Sequence, residues 1–467
     1  MPDRPPFIHP YIPNAEPRIK RAMLDAIGAE NIEELYEDIP PELRFQGPLD
    51  LPPPIESEAE LARFITGLLK KNASCADNLS FLGGGCYQHY VPAVCDEINA
   101  RGEFLTAYAG KTYTDHGKFQ ALFEFTSMMG ELLNMDVVNI PPYDGYQAAA
   151  TALRMAGRIT RRRVALVPDA ISPRMAAKFR DYCQPELTLR SLPTHPHTGL
   201  IDLDALAEAL SDQVAAVFFE NPGYLGVLEA QAPEIVQLAH AHGALAVAYV
   251  NPITLGLLAP PADYGADIAC GDIQPLGVHM QFGGGHGGFI ATRDDPTFVM
   301  EFPSRLYGIT PTTEPGEFGF GEVAFERTSF AHRERAKEFT GTAANLWAIT
   351  AGVYLALMGP QGMVELGETL LARAAYAMQR LDALPGVRAP RFQAAHFHEF
   401  VVDFNATGLT VAEINRGLRA QGVFGGHDLS REFPALGQSA LYCITEQHTQ
   451  ADIDRLVHTL NKVISDQ

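Results

Sequence analysis

No apolar run in the sequence approaches the roughly 18 residues that a membrane-spanning helix requires, so no membrane partner is expected. Cysteine is scarce. The six residues at 75, 86, 95, 183, 270 and 443 include no close pair at metal-ligand spacing, which argues against a metal site and against a disulfide scaffold. Residues 1–6 lack the basic and apolar regions of a secretion signal, and the cytoplasm is the expected compartment. Basic charge is also short. With 35 Lys and Arg against 56 Asp and Glu, the formal charge of −21 excludes a nucleic-acid partner on electrostatic grounds. Lysine itself is rare, at positions 20, 70, 71, 111, 118, 178, 337 and 462, and none of these follows a strand at a place comparable to the end of the apolar stretch 266–272.

What the chain does contain is a long alternation of apolar strands and amphipathic helices. At 467 residues it exceeds what one core usually organises, and we expect an N-terminal arm (1–60), a large domain (61–340) and a small C-terminal domain (341–467). The arm is rich in proline and acid, with helical patterns at 16–27 and 31–36 that bury little by themselves. Ser57 is placed to cap a helix over 58–70, with Glu60 at the capping-box position. Three glycines, 83–85, then remove side chains where backbone or a ligand must come close. From residue 135 strands are expected at 135–140, 163–167, 187–192, 214–219 and 244–250, separated by helices, which predicts a mostly parallel sheet covered on both faces. A long helix from 342 is expected to stop at Gly359-Pro360, and the remaining helices and strands to form an α+β domain. The run 158–163, four of whose six residues are arginine, reads as a patch for an acidic carrier or as a solvated helix end.

The centre of the sequence is the strand 266–272, which leads into Gln274-Pro275 and a glycine-rich stretch containing His286. About twenty residues earlier another strand delivers Asn251. Two strand ends of this kind resemble the cofactor site of fold type I pyridoxal-phosphate (PLP) enzymes, the aspartate aminotransferase class. That chemistry requires an acid beside the pyridinium nitrogen and a lysine to carry the aldehyde. Asn251 stands in place of the acid, and Gln274 and Pro275 in place of the lysine.

Further motifs sharpen the resemblance. Tyr11-Ile12-Pro13, Phe81-Leu82-Gly83, His89-Tyr90-Val91-Pro92, Thr106-Ala107-Tyr108, Tyr143-Asp144-Gly145, Gln274-Pro275-Leu276-Gly277 and Glu399-Phe400-Val401-Val402 occur in the order and spacing of one family. The chain resembles the alpha subunit of the split glycine decarboxylase, the P-protein of the glycine cleavage system. The resemblance implies a lysine-less subunit that closes the active site of a lysine-bearing beta subunit. It also implies that PLP sits on the beta subunit, that glycine loses its carboxylate as CO2, and that the aminomethyl group passes to the lipoyl arm of H-protein. Asn251, Gln274 and Pro275 are then degenerate cofactor positions, and no catalytic residue is expected in this chain alone.

Thr106 and Tyr108 lie in the segment that, in the family, reaches the partner's cofactor. Tyr113, Asp115 and His116 follow in a loop that departs from the family, where a tyrosine, a proline and a glutamate are expected. That departure motivates an alternative, a divergent paralogue acting on another amino acid. A non-catalytic regulatory or scaffolding protein is a third reading. His286 and Arg327 are further candidates to face the substrate or the partner. Asp144 reads as a helix N-cap rather than an anion site, because its carboxylate would oppose a phosphate.

Overall fold

The computed structural model describes the chain except residues 1–7, 9–10, 46, 48, 106–115, 285, 324, 339, 341–342 and 466–467. It separates into two compact units, 1–72 and 73–467.

In the first unit, α1 (Pro17–Ile27) is capped by the Glu16 carboxylate, which accepts the Arg18 and Ile19 N–H groups at 3.1 and 2.9 Å. It ends where Gly28 turns left-handed, at φ 75°. Ser57 caps α2 (Glu58–Leu69), as its sequence position implies, accepting the Glu60 N–H. Of this unit's described apolar residues only Leu24 and Ala29 are buried, while Leu61, Phe64, Ile65 and Leu68 of α2 are exposed.

The second unit opens with β1 (Leu79–Ser80), α3 (Ala93–Asn99) and α4 (His116–Leu133). A seven-stranded sheet follows: β2 (Val137–Val138), β3 (Val164–Pro168), β4 (Thr188–Leu192), β5 (Val214–Asn221), β6 (Leu245–Val250), β7 (Ile268–Asp272) and β8 (Gly288–Thr292). Its order is β2-β8-β7-β6-β5-β3-β4. All pairs are parallel except β2 with β8 and β8 with β7. Between the strands run α5 (Gly145–Thr160), α6 (Pro173–Cys183), α7 (Leu203–Ala209) and α8 (Ala232–Ala241).

The continuous apolar run of β5 is what a strand covered on both faces requires. Ala216 and Phe218 enter one core with Met155 and Phe179 of α5 and α6, and Val217 and Phe219 enter the opposite core with Ile235 of α8. Each fully buried phenylalanine contributes about 2–3 kcal/mol.

Among the elements with no counterpart in the sequence reading is the antiparallel strand β8, hidden behind the glycine stretch. Another, after α9 (Pro296–Val299), is the hairpin of β9 (Tyr307–Pro311) and β10 (Phe318–Glu322), whose strands are short and largely exposed. The expected stop at Gly359-Pro360 is a kink. Gly359 sits at φ 60°, and helix resumes at Pro360, so that α10 extends over Asn345–Asp382. Proline is compatible with a first helical turn, where its missing N–H costs nothing.

The C-terminal part carries an antiparallel sheet in the order β11 (Glu399–Asp403), β14 (Ser439–Cys443), β13 (His427–Asp428), with α11 (Val411–Ala420) and α12 (Gln450–Ser465) against it. β1 pairs in parallel with β12 (Val423–Phe424), and Phe81, next along the chain, is buried in this core with Phe400 and Tyr442. The glycine loop that follows therefore starts from the C-terminal core.

Two arginines of the 158–163 run are committed within the fold. Arg158 donates to Glu301 at 2.6 Å and to Glu338 at 3.0 Å, and Arg162 ties the Val214 and His242 carbonyls at 2.9 and 2.8 Å.

Candidate functional site

The carboxyl ends of β5, β6 and β7 open on a narrow cleft, where β11 of the C-terminal part meets them. The strand ends bring Glu220, Asn251 and Asp272 to it, with Tyr249 of β6 beside them. Glu399 and His398 enter from the other side.

Asp272 is the hub. Its Oδ2 accepts the Gly145 N–H at 2.8 Å and lies 3.2 Å from His286 Nδ1, while Oδ1 accepts the Gln274 N–H at 2.8 Å. Asp144 caps the same helix by accepting the Gln147 N–H at 2.6 Å, in keeping with its sequence reading. Gly145 has no room for a side chain: a Cβ there would stand 2.5 Å from the Tyr249 hydroxyl and 2.9 Å from Asp272 Cβ.

Gln274 is almost fully buried and reads the glycine loop as a strand would. Its Oε1 accepts the Tyr87 N–H at 2.9 Å, and its Nε2 donates to the Tyr87 carbonyl at 2.9 Å and the Val278 carbonyl at 3.0 Å. Asn251 caps the turn after β6, accepting the Ile253 N–H at 3.1 Å. Pro275 forms part of the cleft wall.

The buried carboxylates set the electrostatics. Glu399 accepts the Gly84 N–H at 2.7 Å and the Tyr87 hydroxyl at 2.9 Å, yet burial outweighs both bonds and raises its pKa to about 7. Glu220, bonded among the described residues only to the Tyr224 N–H at 3.1 Å, is pushed by burial to about 8, with Glu399 adding to the rise. Burial and the neighbouring His89 hold His398 neutral, at about 3. His286 behaves oppositely. Burial pulls it down, but the hydrogen bonds and charges of Asp272 and Cys86 prevail and lift it to about 10.

Of the residues singled out in the sequence, Asn251, Gln274, Pro275 and His286 gather at these strand ends. Arg327 does not: it is half-exposed, pairs with Asp294, and lines neither this cleft nor its neighbour. Thr106, Tyr108, Tyr113 and Asp115 lie outside the described residues, and His116 is described only as the backbone start of α4. The sequence reading missed Glu220, Glu399, Tyr87 and Tyr249. Glu220 was legible as the polar end of an apolar strand; Glu399 was not, because only the tertiary fold brings β11 to the cleft.

These residues do not fit PLP. Among the described residues no lysine lines the cleft, and Asn251, at the end of β6, carries an amide committed to its own turn rather than an acid. The helix N-terminus that would receive a phosphate is already occupied by the Asp144 and Asp272 carboxylates.

The sheet order, with one reversed strand beside β7 and a cleft at the parallel strands' carboxyl ends, makes this a fold type I PLP-enzyme scaffold. A sphingosine-1-phosphate lyase of Burkholderia pseudomallei shares the fold, with a TM-score of 0.65 at 13% identity over 91% of this chain and 94% of that one. Within that class the chain belongs to the glycine cleavage system P-protein family, whose sequence profile matches residues 9–460. It is 37% identical to the probable glycine dehydrogenase (decarboxylating) subunit 1 of Staphylothermus marinus, over 98% of this chain and 99% of that one. A subunit 1 of Moorella thermoacetica is 38% identical, over 97% of this chain and 100% of its own length. The crystal structure of an inhibitor-bound glycine decarboxylase (P-protein) of the glycine cleavage system matches with a TM-score of 0.83 at 34% identity, covering 99% of this chain and all of that one.

Proposed function

We propose that this chain is subunit 1 of a two-subunit, PLP-dependent glycine dehydrogenase (decarboxylating), inactive alone, that completes the active site of a lysine-bearing second subunit. The complex releases CO2 from glycine and passes the aminomethyl group to the lipoyl arm of H-protein, in the cytoplasm. The observation that carries this reading is the conjunction of full-length identity to proteins named subunit 1 with a strand end after β7 that bears Gln274-Pro275 where the scaffold needs an amine. The exposed apolar face of α2 and the sparse burial of 1–72 support a role in embracing a partner. Thr106, Tyr108, Tyr113, Asp115 and His116 would reach the partner's cofactor, with His286 and Arg327 nearer its approach.

The reading is tested by co-expressing the chain with the second subunit and assaying glycine-dependent CO2 release with lipoylated H-protein. Activity is expected from the pair and from neither chain separately; glycine turnover by this chain with added PLP would defeat the assignment. The Lys111-Thr112-Tyr113-Thr114-Asp115-His116 loop favours one second reading, a paralogue whose complex acts on another amino acid. In that case a different amino acid outcompetes glycine in the same assay.

A further inference from the structure

The cleft at the strand ends offers acceptors without matching donors. Glu220 is 9% exposed; its Oε2 accepts the Tyr224 N–H at 3.1 Å, and Oε1 has no hydrogen-bond partner among the described residues. His398, 2% exposed, lines the same cleft, and its Nδ1 likewise has no partner among the described residues. Among those residues no lysine or arginine lines the cleft, and His398 is held neutral. His286, the cation of the adjoining cavity, is committed to Asp272 at 3.2 Å. Tyr87, Tyr146, Tyr224 and Tyr249 form much of the remaining wall, and the faces of such rings attract cations. Buried carboxylates without a counter-charge are costly, and a cation that fits between them removes that cost. Among the described residues no three His, Cys, Asp or Glu side chains gather as a metal ion requires, which leaves an organic cation as the match.

We propose that this cleft binds a small primary ammonium compound, with Glu220 as its anionic partner and Glu399 and His398 as further acceptors. The three N–H donors of a primary ammonium suit that set, a quaternary ammonium has none, and the narrow cleft limits the substituent to a short one. Binding exchanges a proton for the ligand. Below about 8 and about 7 Glu220 and Glu399 carry protons, and as the ammonium enters, the carboxyl group that pairs with it releases its proton to water. Affinity therefore rises with pH through about 7 to 8 and falls only where the amine itself loses its proton, above about 10. The titratable groups around Glu220 are Tyr224 in its own turn, Tyr146 of α5, Tyr249 of β6, Cys270 and Asp272 of β7, and Glu399. Those around Glu399 are Tyr87, His398 and Cys443. Burial raises the phenols and thiols among them, so they stay protonated over this range. The site lies within this chain, so its occupancy is independent of turnover by the complex.

The test follows the methyl signal of methylammonium by saturation-transfer NMR against the full-length chain, at pH 6, 7 and 8 and constant ionic strength. Protons released on binding are counted by base uptake in weak buffer. So small a ligand binds in the millimolar range at best. Its dissociation constant should fall about tenfold or more from pH 6 to pH 8, with close to one proton released per ligand bound near pH 7. Potassium and tetramethylammonium at equal concentration should not displace it. Glu220→Gln keeps an acceptor for the Tyr224 N–H; it should weaken binding about tenfold or more and remove most of the proton release, with circular dichroism unchanged. Absence of saturable binding at pH 8, an affinity independent of pH in the unmutated chain, or equal displacement by potassium overturns the proposal, and none of these readouts depends on a variant folding.

Discussion

Gln274 and Tyr87 are joined by a pair of hydrogen bonds, each of 2.9 Å, in which one side-chain amide satisfies both backbone groups of the same residue. Only a group that donates and accepts on adjacent atoms can do this, so glutamine is suited here in a way that a lysine would not be. The pair is a structural staple between the end of β7 and the glycine loop.

Gln274→Ala should therefore destabilise the chain. It leaves the Tyr87 N–H and carbonyl and the Val278 carbonyl without their partner in a buried setting, a loss of about 2–4 kcal/mol. Urea unfolding monitored by circular dichroism checks this. A change under about 0.5 kcal/mol would mean that the staple is dispensable.

The buried acids predict a pH dependence. The folded-state pKa values of Glu220 and Glu399, about 8 and about 7, lie above the ordinary carboxyl value, so in between the folded state binds more protons than the unfolded one. Stability from these groups is greatest below the unfolded pKa and falls as pH rises through about 7 to 8. His286, raised to about 10, adds a contribution that is present below the ordinary histidine pKa and is lost at higher pH, as pH climbs through about 10. Glu220→Gln keeps an acceptor for the Tyr224 N–H and removes the titration. Its gain in stability over the unmutated chain should grow from near zero at pH 5 to a few kcal/mol at pH 8.5. A difference that stays flat across that range would show that Glu220 titrates normally.

How far the sequence disclosed this site follows from what each residue depends on. The β3 to β7 rhythm, the Ser57 and Asp144 caps and the strand-end positions of Asn251 and Gln274 are local properties, and local patterns reveal them. Glu399 and His398 reach the cleft only because β11 closes over strand ends far away in sequence, and no periodicity encodes such a meeting. β8 was concealed for another reason: its reversed direction and glycine-rich approach resemble a loop until Asp272 and Gly288 are seen paired.

Restoring an amine alone should not restore a cofactor site. Pro275→Lys would place an amine in the cleft wall, but Asp272 and Asp144 would still fill the amino terminus of α5 where a phosphate must bind. A phosphate brought there would face two carboxylates across short distances in a partly desolvated setting, and that repulsion cancels what the helix end offers. The introduced ammonium would also draw the protons from Glu220 and Glu399 and form ion pairs with them, which keeps the amine charged and unreactive toward an aldehyde. Incubation with PLP, borohydride reduction and peptide mapping should then find no more pyridoxyl label at position 275 than at an exposed lysine such as Lys70. Stoichiometric labelling at 275 would mean that the missing lysine was the single obstacle and that the carboxylates at the helix terminus are easily displaced.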